Sequence, residues 1–237
     1  MYTKKYQVHT YEVDNDNTLT ITALFHYLQD VMIENANSYG ASTRFHHEKG
    51  LAWVLIDYDI DLYDMPTVFE DVTCGTLPYS FKKYYGYRKY EAKIQDQLVA
   101  KGTGRFVLMN MNDKTLAMPT KELLSLFTDA LEKPASLPLS KHRLLDIEPH
   151  HISSIEVKKS DIDLNNHMNN VRYLEHALDS LNNLDFDLGS VSNIRITYKK
   201  ECYLGDQLTL KAIKTKKQVQ VQIYKGNDHI SLITLTL

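Results

Sequence analysis

Asp163, Asn165 and His167 stand at alternate positions of the run Asp163-Leu-Asn-Asn-His-Met-Asn-Asn-Val-Arg-Tyr173. They bring together a carboxylate, a carboxamide and an imidazole. In an extended segment alternate side chains point the same way, which predicts one shared surface. An amphipathic stretch follows, so a helix N-terminus with free N–H groups is expected beside that surface. These are parts for hydrolysis. His167 is the candidate general base, because imidazoles ordinarily titrate near neutrality. Asn165 would hydrogen-bond a substrate carbonyl or a water. Asp163 would orient either partner or fix the imidazole tautomer. Another acid, Glu201, lies downstream in Lys199-Lys-Glu-Cys202.

Each of these residues also has a purely structural reading. Asp and Asn before an apolar run form N-cap regions. Glu201 beside two lysines reads as a solvated strand end. Cys202 is either a nucleophile paired with His167 or an inert buried thiol.

The elements around the motif follow from periodicity. In the first half a polar strand is expected from Lys5 to Val13, then a turn at Asp14-Asn-Asp-Asn17. A helix is expected from Leu19 to Tyr39, because Ile21, Leu24, Leu28 and Val31 recur at three- and four-residue steps. Gly40 is its expected C-cap. Strands are expected at Ala52 to Leu62, Asp71 to Tyr79, Tyr84 to Gln95 and Leu98 to Met109, then a short helix from Lys121 to Leu131. Pro134, Pro138 and Pro149 mark a linker. The second half repeats the order: a strand around Ile155-Glu-Val157, a helix from Asn169 to Leu181, strands at Val191 to Lys200 and Gln207 to Thr215, and a final hairpin. Strand, helix and four strands, twice, predict an α+β chain built as a tandem (double) hot-dog. Each copy would be an antiparallel sheet wrapped around a long central helix. The expected boundaries are 1–128, a linker at 129–149, and 150–237.

Composition narrows the function classes. The chain has 237 residues, 43% hydrophobic and 24% charged, with a formal net charge of −3. That length suits one large domain or two smaller ones. The charge gives no reason to expect a nucleic-acid partner. Tyr84-Tyr-Gly-Tyr87 with its basic neighbours is read as a strand with one aromatic face on the helix, not as a base-stacking platform. Cys74 and Cys202 offer neither a disulfide framework nor metal-ligand spacing. With no apolar leader and no apolar run of membrane-spanning length, a cytoplasmic protein without a membrane anchor is expected. The adjacent pairs His46-His47 and His150-His151 are read as exposed loop residues, so no metal site is expected. No glycine-rich cofactor loop is present, and no cofactor is expected.

The stretch Asp161-Ile-Asp-Leu-Asn-Asn-His-Met-Asn-Asn-Val-Arg-Tyr173 closely resembles the D-x-D-x-N-x-H-x-N-N-V-x-Y signature of acyl-acyl-carrier-protein thioesterases. Tyr198-Lys-Lys-Glu-Cys202 is similar to that family's Y-R-R-E-C segment. Ala36 to Gly40 and Gly50-Leu-Ala-Trp53 resemble its first-domain helix end and strand entry. The resemblance implies a catalytic set of Asp163, Asn165, His167 and Glu201, and an acidic acyl carrier protein as partner. Lys199 and Lys200 are candidate docking residues. It also implies a non-catalytic first half that contributes the acyl-chain pocket, with Leu19 and Ile21 near the positions of Asn165 and His167. With no plastid-targeting segment before Met1, a bacterial-type, cytosolic member is expected, as monomer or homodimer. The alternatives are an acyl-coenzyme A thioesterase, a 3-hydroxyacyl-thioester dehydratase or an acyl-binding module.

Overall fold

The computed structural model describes residues 1–41, 48–127, 141–182 and 184–237. The pair His46-His47, the linker residues 129–140 and the end of the helix expected up to Leu131 lie outside them. The chain divides into two compact units, Met1–Leu139 and Ser140–Leu237.

In unit 1, β1 (Tyr2–Gln7), β2 (Leu51–Leu62), β3 (Asp71–Lys82), β4 (Tyr85–Ile94) and β5 (Gln97–Asn110) form an antiparallel sheet in the order β1-β3-β4-β5-β2, and β6 (Thr115–Leu116) pairs with β5. Helix α1 (Ile21–Ser38) buries Ile21, Leu24, Leu28 and Val31, the stripe legible in the sequence. Each such residue taken fully from water contributes about 1.5–3 kcal/mol, which drives the helix onto the sheet. Thr20 Oγ1 accepts the Ala23 N–H at the helix start. Gly40, at φ 74°, follows the cap residue Tyr39 at its end. A short α2 (Lys121–Ser125) closes the described part of unit 1.

Two expectations in unit 1 need correction. β1 stops at Gln7 instead of Val13, because the Val8 N–H leaves for Glu70 O and the chain turns through Glu12 N–H to His9 O. In β4 the buried Arg88 is what meets α1, donating to Asn35 Oδ1 at 2.6 Å and Thr76 Oγ1 at 3.1 Å. By strand alternation Tyr85 and Tyr87 point to the opposite face. A guanidinium taken from water needs such acceptors.

In unit 2, β7 (His151–Glu156), β8 (Asn193–Tyr198), β9 (Gln207–Lys214), β10 (Gln218–Lys225) and β11 (Asp228–Thr236) form an antiparallel sheet in the order β8-β11-β10-β9-β7. Counted from its own first strand, each unit's sheet runs first, third, fourth, fifth, second. Helix α3 (Asn170–Asp179) packs on it through Val171, Tyr173, Leu174 and Ala177. On the opposite sheet face lies a strap formed by residues 141–147. His142 Nδ1 and Nε2 stand 2.9 and 2.8 Å from Thr197 Oγ1 and Thr234 Oγ1. Gln220 takes the Leu145 N–H and donates to Arg143 O, while Gln222 donates to Leu145 O.

The two units also repeat one set of bonds at the helix entry, to which unit 1 adds Thr18 N–H to Asp14 Oδ1 at 3.0 Å. In unit 1, Asp14 N–H donates to Thr18 O (2.9 Å), Asn17 N–H to Asp14 O (3.1 Å) and Asp16 N–H to Asp14 Oδ1 (2.9 Å). In unit 2, Asp163 N–H donates to His167 O (2.9 Å), Asn166 N–H to Asp163 O (3.1 Å) and Asn165 N–H to Asp163 Oδ1 (2.8 Å). Asn17 and Asn166 take φ of 61° and 62°, a left-handed conformation that asparagine tolerates better than most residues. The bridges Val13 with Leu19 and Ile162 with Met168 close the two turns. Leu19 N–H then bonds Pro66 O, and Met168 N–H bonds Cys202 O, each at 2.8 Å. This register places Asp16 and Thr18, not Leu19 and Ile21, opposite Asn165 and His167. Val157 matches Val8: their N–H groups bond Asp206 O and Glu70 O.

Candidate active site

The segment carrying Asp163, Asn165 and His167 is a tight turn, not an extended strand. Asp163 Oδ1 is occupied by the Asn165 N–H, an Asx-turn that competes with regular strand pairing. One oxygen of the expected orienting carboxylate therefore holds the loop itself. Asn165 stands exposed on the turn, and His167 is half-buried at its end.

The turn is pinned at both ends. At its start, Asp161 is buried: Oδ2 accepts the Lys158 N–H at 2.7 Å, and Oδ1 lies 3.2 Å from His176 Nε2 on α3. At its exit, the Asn169 N–H donates to Asp161 O, and Asn169 Oδ1 accepts the Val171 N–H at 2.9 Å. Arg172 N–H bonds Asn169 O. The N–H groups at the helix start are thus largely spent.

Glu201 is brought to His167 by the main chain. The Met168 N–H to Cys202 O bond ties the two loops, and His167 Nε2 lies 3.5 Å from Glu201 Oε2. That is ion-pair range, longer than a good hydrogen bond. Tyr203, which the sequence reading passed over, completes the cluster. Its hydroxyl donates to Glu201 Oε2 at 2.9 Å, and its ring stands edge-on to His167 with centroids 5.4 Å apart. The available signal was its position, two residues after the glutamate.

Cys202 is not placed for nucleophilic work. It is fully buried, its N–H donates to Tyr173 Oη at 3.1 Å, and burial pushes its thiol above the ordinary range. A thiol nucleophile needs the opposite shift. Lys199 and Lys200 are exposed but already engaged: Lys199 Nζ lies 2.7 Å from His229 Nδ1, and Lys200 Nζ lies 2.7 Å from Asp228 Oδ1.

Comparison with known families decides the assignment. Residues 1–127 match the acyl-ACP thioesterase N-terminal domain, and residues 145–233 match the acyl-ACP thioesterase C-terminal domain. The chain belongs to the acyl-ACP thioesterase family. It is similar to the oleoyl-acyl carrier protein thioesterase 1, chloroplastic, of Arabidopsis thaliana, at 24% identity over 86% of this chain and 61% of the relative. The chain therefore spans about three fifths of that relative's length. Among solved structures it resembles an acyl-ACP thioesterase from Bacteroides thetaiotaomicron, with TM-score 0.84 and 21% identity over 99% of this chain and 96% of that one. It also resembles the 12:0-ACP thioesterase from Umbellularia californica, with TM-score 0.87 and 18% identity over 99% and 96%. The acyl-ACP thioesterase fold is thus shared along nearly the whole chain. No helix among the described residues is long and apolar enough to cross a membrane.

Proposed function

We propose that this chain hydrolyses acyl-ACP thioesters to free fatty acid and carrier protein, with Asp163, Asn165, His167 and Glu201 as its site. The observation that carries the proposal is the His167–Glu201 pair, 3.5 Å apart on loops tied by a main-chain bond. Family membership directs that pair to a thioester. His167 takes a proton from water as the water oxygen attacks the carbonyl carbon. Glu201 faces the resulting imidazolium and stabilises it. The carbonyl oxygen gains negative charge, met by the exposed Asn165 carboxamide and the positive N-terminal end of the α3 dipole. Collapse expels the thiolate, a good leaving group because thiols ionise near pKa 8–9. His167 returns the proton to it. Asp163 acts indirectly, by fixing the turn.

In the same proposal both units are hot-dog domains in tandem. Residues 1–128 form a non-catalytic half that lends the acyl-chain pocket, 129–149 join the halves, and 150–237 carry the chemistry. Supporting this division, unit 1 has Asp16 and Thr18 at the positions of Asn165 and His167, and Met65 at that of Glu201. It has the mould without the base or the acid.

The test is release of free fatty acid from an acyl-ACP by the purified chain and its His167→Ala variant. Loss of a general base is expected to lower kcat/KM by about a hundred- to ten-thousand-fold. An unchanged rate with unchanged circular dichroism refutes the assignment. The same acyl group offered on coenzyme A tests the carrier: equal kcat/KM on both would remove the carrier protein as the preferred partner.

A further inference from the structure

We infer that Tyr203 is a positioning residue for Glu201, holding the carboxylate against His167. The inference rests on the site proposed above and adds a residue to it.

Glu201 is a half-exposed side chain on a loop, with its side chain 35% accessible. Left alone, such a side chain samples several rotamers, and fixing one of them costs conformational entropy. The Tyr203 hydroxyl donates to Oε2, the same oxygen that lies 3.5 Å from His167 Nε2. The phenol therefore selects the rotamer in which that oxygen faces the imidazole. Its ring has only two torsions to fix, and its edge-on contact with the His167 ring orients both partners. The loop beneath is stiff. Asp206 Oδ2 accepts the Tyr203 N–H at 3.0 Å, Asp206 N–H donates back to Tyr203 O, and Lys225 Nζ lies 2.7 Å from Asp206 Oδ1.

Unit 1 supplies an internal control for the structural alternative. Its equivalent loop makes the same bonds with Thr67 at the position of Tyr203. Thr67 N–H donates to Glu70 Oε2 at 2.7 Å, and Glu70 N–H donates to Thr67 O. Phe69 and Gly205 both take positive φ, 70° and 85°, and their N–H groups bond Val8 O and Val157 O. A threonine suffices to build this loop. The tyrosine occurs where the neighbouring position holds Glu201, and not where it holds Met65. What the phenol adds is its contact with the carboxylate and the imidazole.

The experiment is a double-mutant cycle on acyl-ACP hydrolysis using Tyr203→Phe, Glu201→Gln and the pair. Tyr203→Phe keeps the ring and removes the donor, so kcat is expected to fall about tenfold with KM unchanged, the size of a lost bond to a charged group. In the Glu201→Gln background the same change is expected to cost less than about twofold. Tyr203→Thr, which copies unit 1, is expected to fold and to lose at least as much kcat as Tyr203→Phe. An unchanged kcat in Tyr203→Phe overturns the inference. So does a change confined to KM, which would make Tyr203 a substrate contact, or equal losses in both backgrounds. Wild-type activity in Glu201→Gln alone would instead refute the site, and this inference with it.

Discussion

Acidification from pH 7 to pH 5 is expected to destabilise unit 2 through one side chain, His142. Its imidazole is held between Thr197 and Thr234 beneath the 141–147 strap, and burial, followed by the nearby Arg195, His229 and Lys199 charges, depresses its pKa to about 3. The unfolded chain binds the proton near the ordinary value of 6.5. Stability is therefore complete above pH 6.5 and declines as pH falls towards 3, because only the unfolded state protonates in that window. From pH 7 to pH 5 the loss from this group is about 2 kcal/mol. The figure depends little on the folded-state value, since pH 5 lies above it. The assay is urea unfolding followed by circular dichroism at both pH values, for the wild type and His142→Asn. All other titrating groups are common to the two proteins, including His229, whose pKa is also lowered by burial. The wild type should lose about 2 kcal/mol more than the variant between the two pH values. Parallel pH profiles would refute the reasoning.

Two further outcomes follow from contacts described above or from backbone packing. Cys202→Ala should retain kcat for acyl-ACP within about threefold, because a buried, protonated thiol is no nucleophile; abolition of hydrolysis with the fold intact would reinstate the cysteine. Gly102→Ala should destabilise unit 1 by about 3 kcal/mol, because its Cβ would stand 2.2 Å from Asp59 O and 2.7 Å from Ile60 Cα, both backbone atoms of β2. Trp53, the single tryptophan, lies in β2 and reports that transition by fluorescence; an unshifted urea midpoint would contradict the clash.

Much of this architecture was legible in the residues. The α1 stripe from Ile21 to Val31 and the final hairpin are local signals of period and turn chemistry, and the structure contains both. The turn at Asp163 was misread because an alternating Asp-x-Asn-x-His suits an extended strand as well as an Asx-turn. The hydrogen bond from Asn165 N–H to Asp163 Oδ1 and the left-handed Asn166 distinguish them. The register of the internal repeat was also hidden. It is carried by main-chain bonds at Val8 and Val157, and at Leu19 and Met168, which leave little trace in side-chain identity. Glu201 was reachable through a motif, but its approach to His167 needed a contact between residues 34 positions apart. Tyr203 lies just past the Tyr198–Cys202 motif, and its place two residues after the glutamate was its one signal.

The main-chain bond between Met168 and Cys202 has a consequence for how this site can change over time. A peptide hydrogen bond is indifferent to the side chains at either end, so it transmits no selective pressure to them. The approach of the loops that carry His167 and Glu201 is thus set by the backbone, while the surrounding surface is free to drift. Unit 1 carries the same bond, from Leu19 to Pro66, over a loop pair with Thr18 and Met65 where unit 2 has His167 and Glu201. One mould thus holds His167 and Glu201 in unit 2, and its twin keeps the shape with other residues in place.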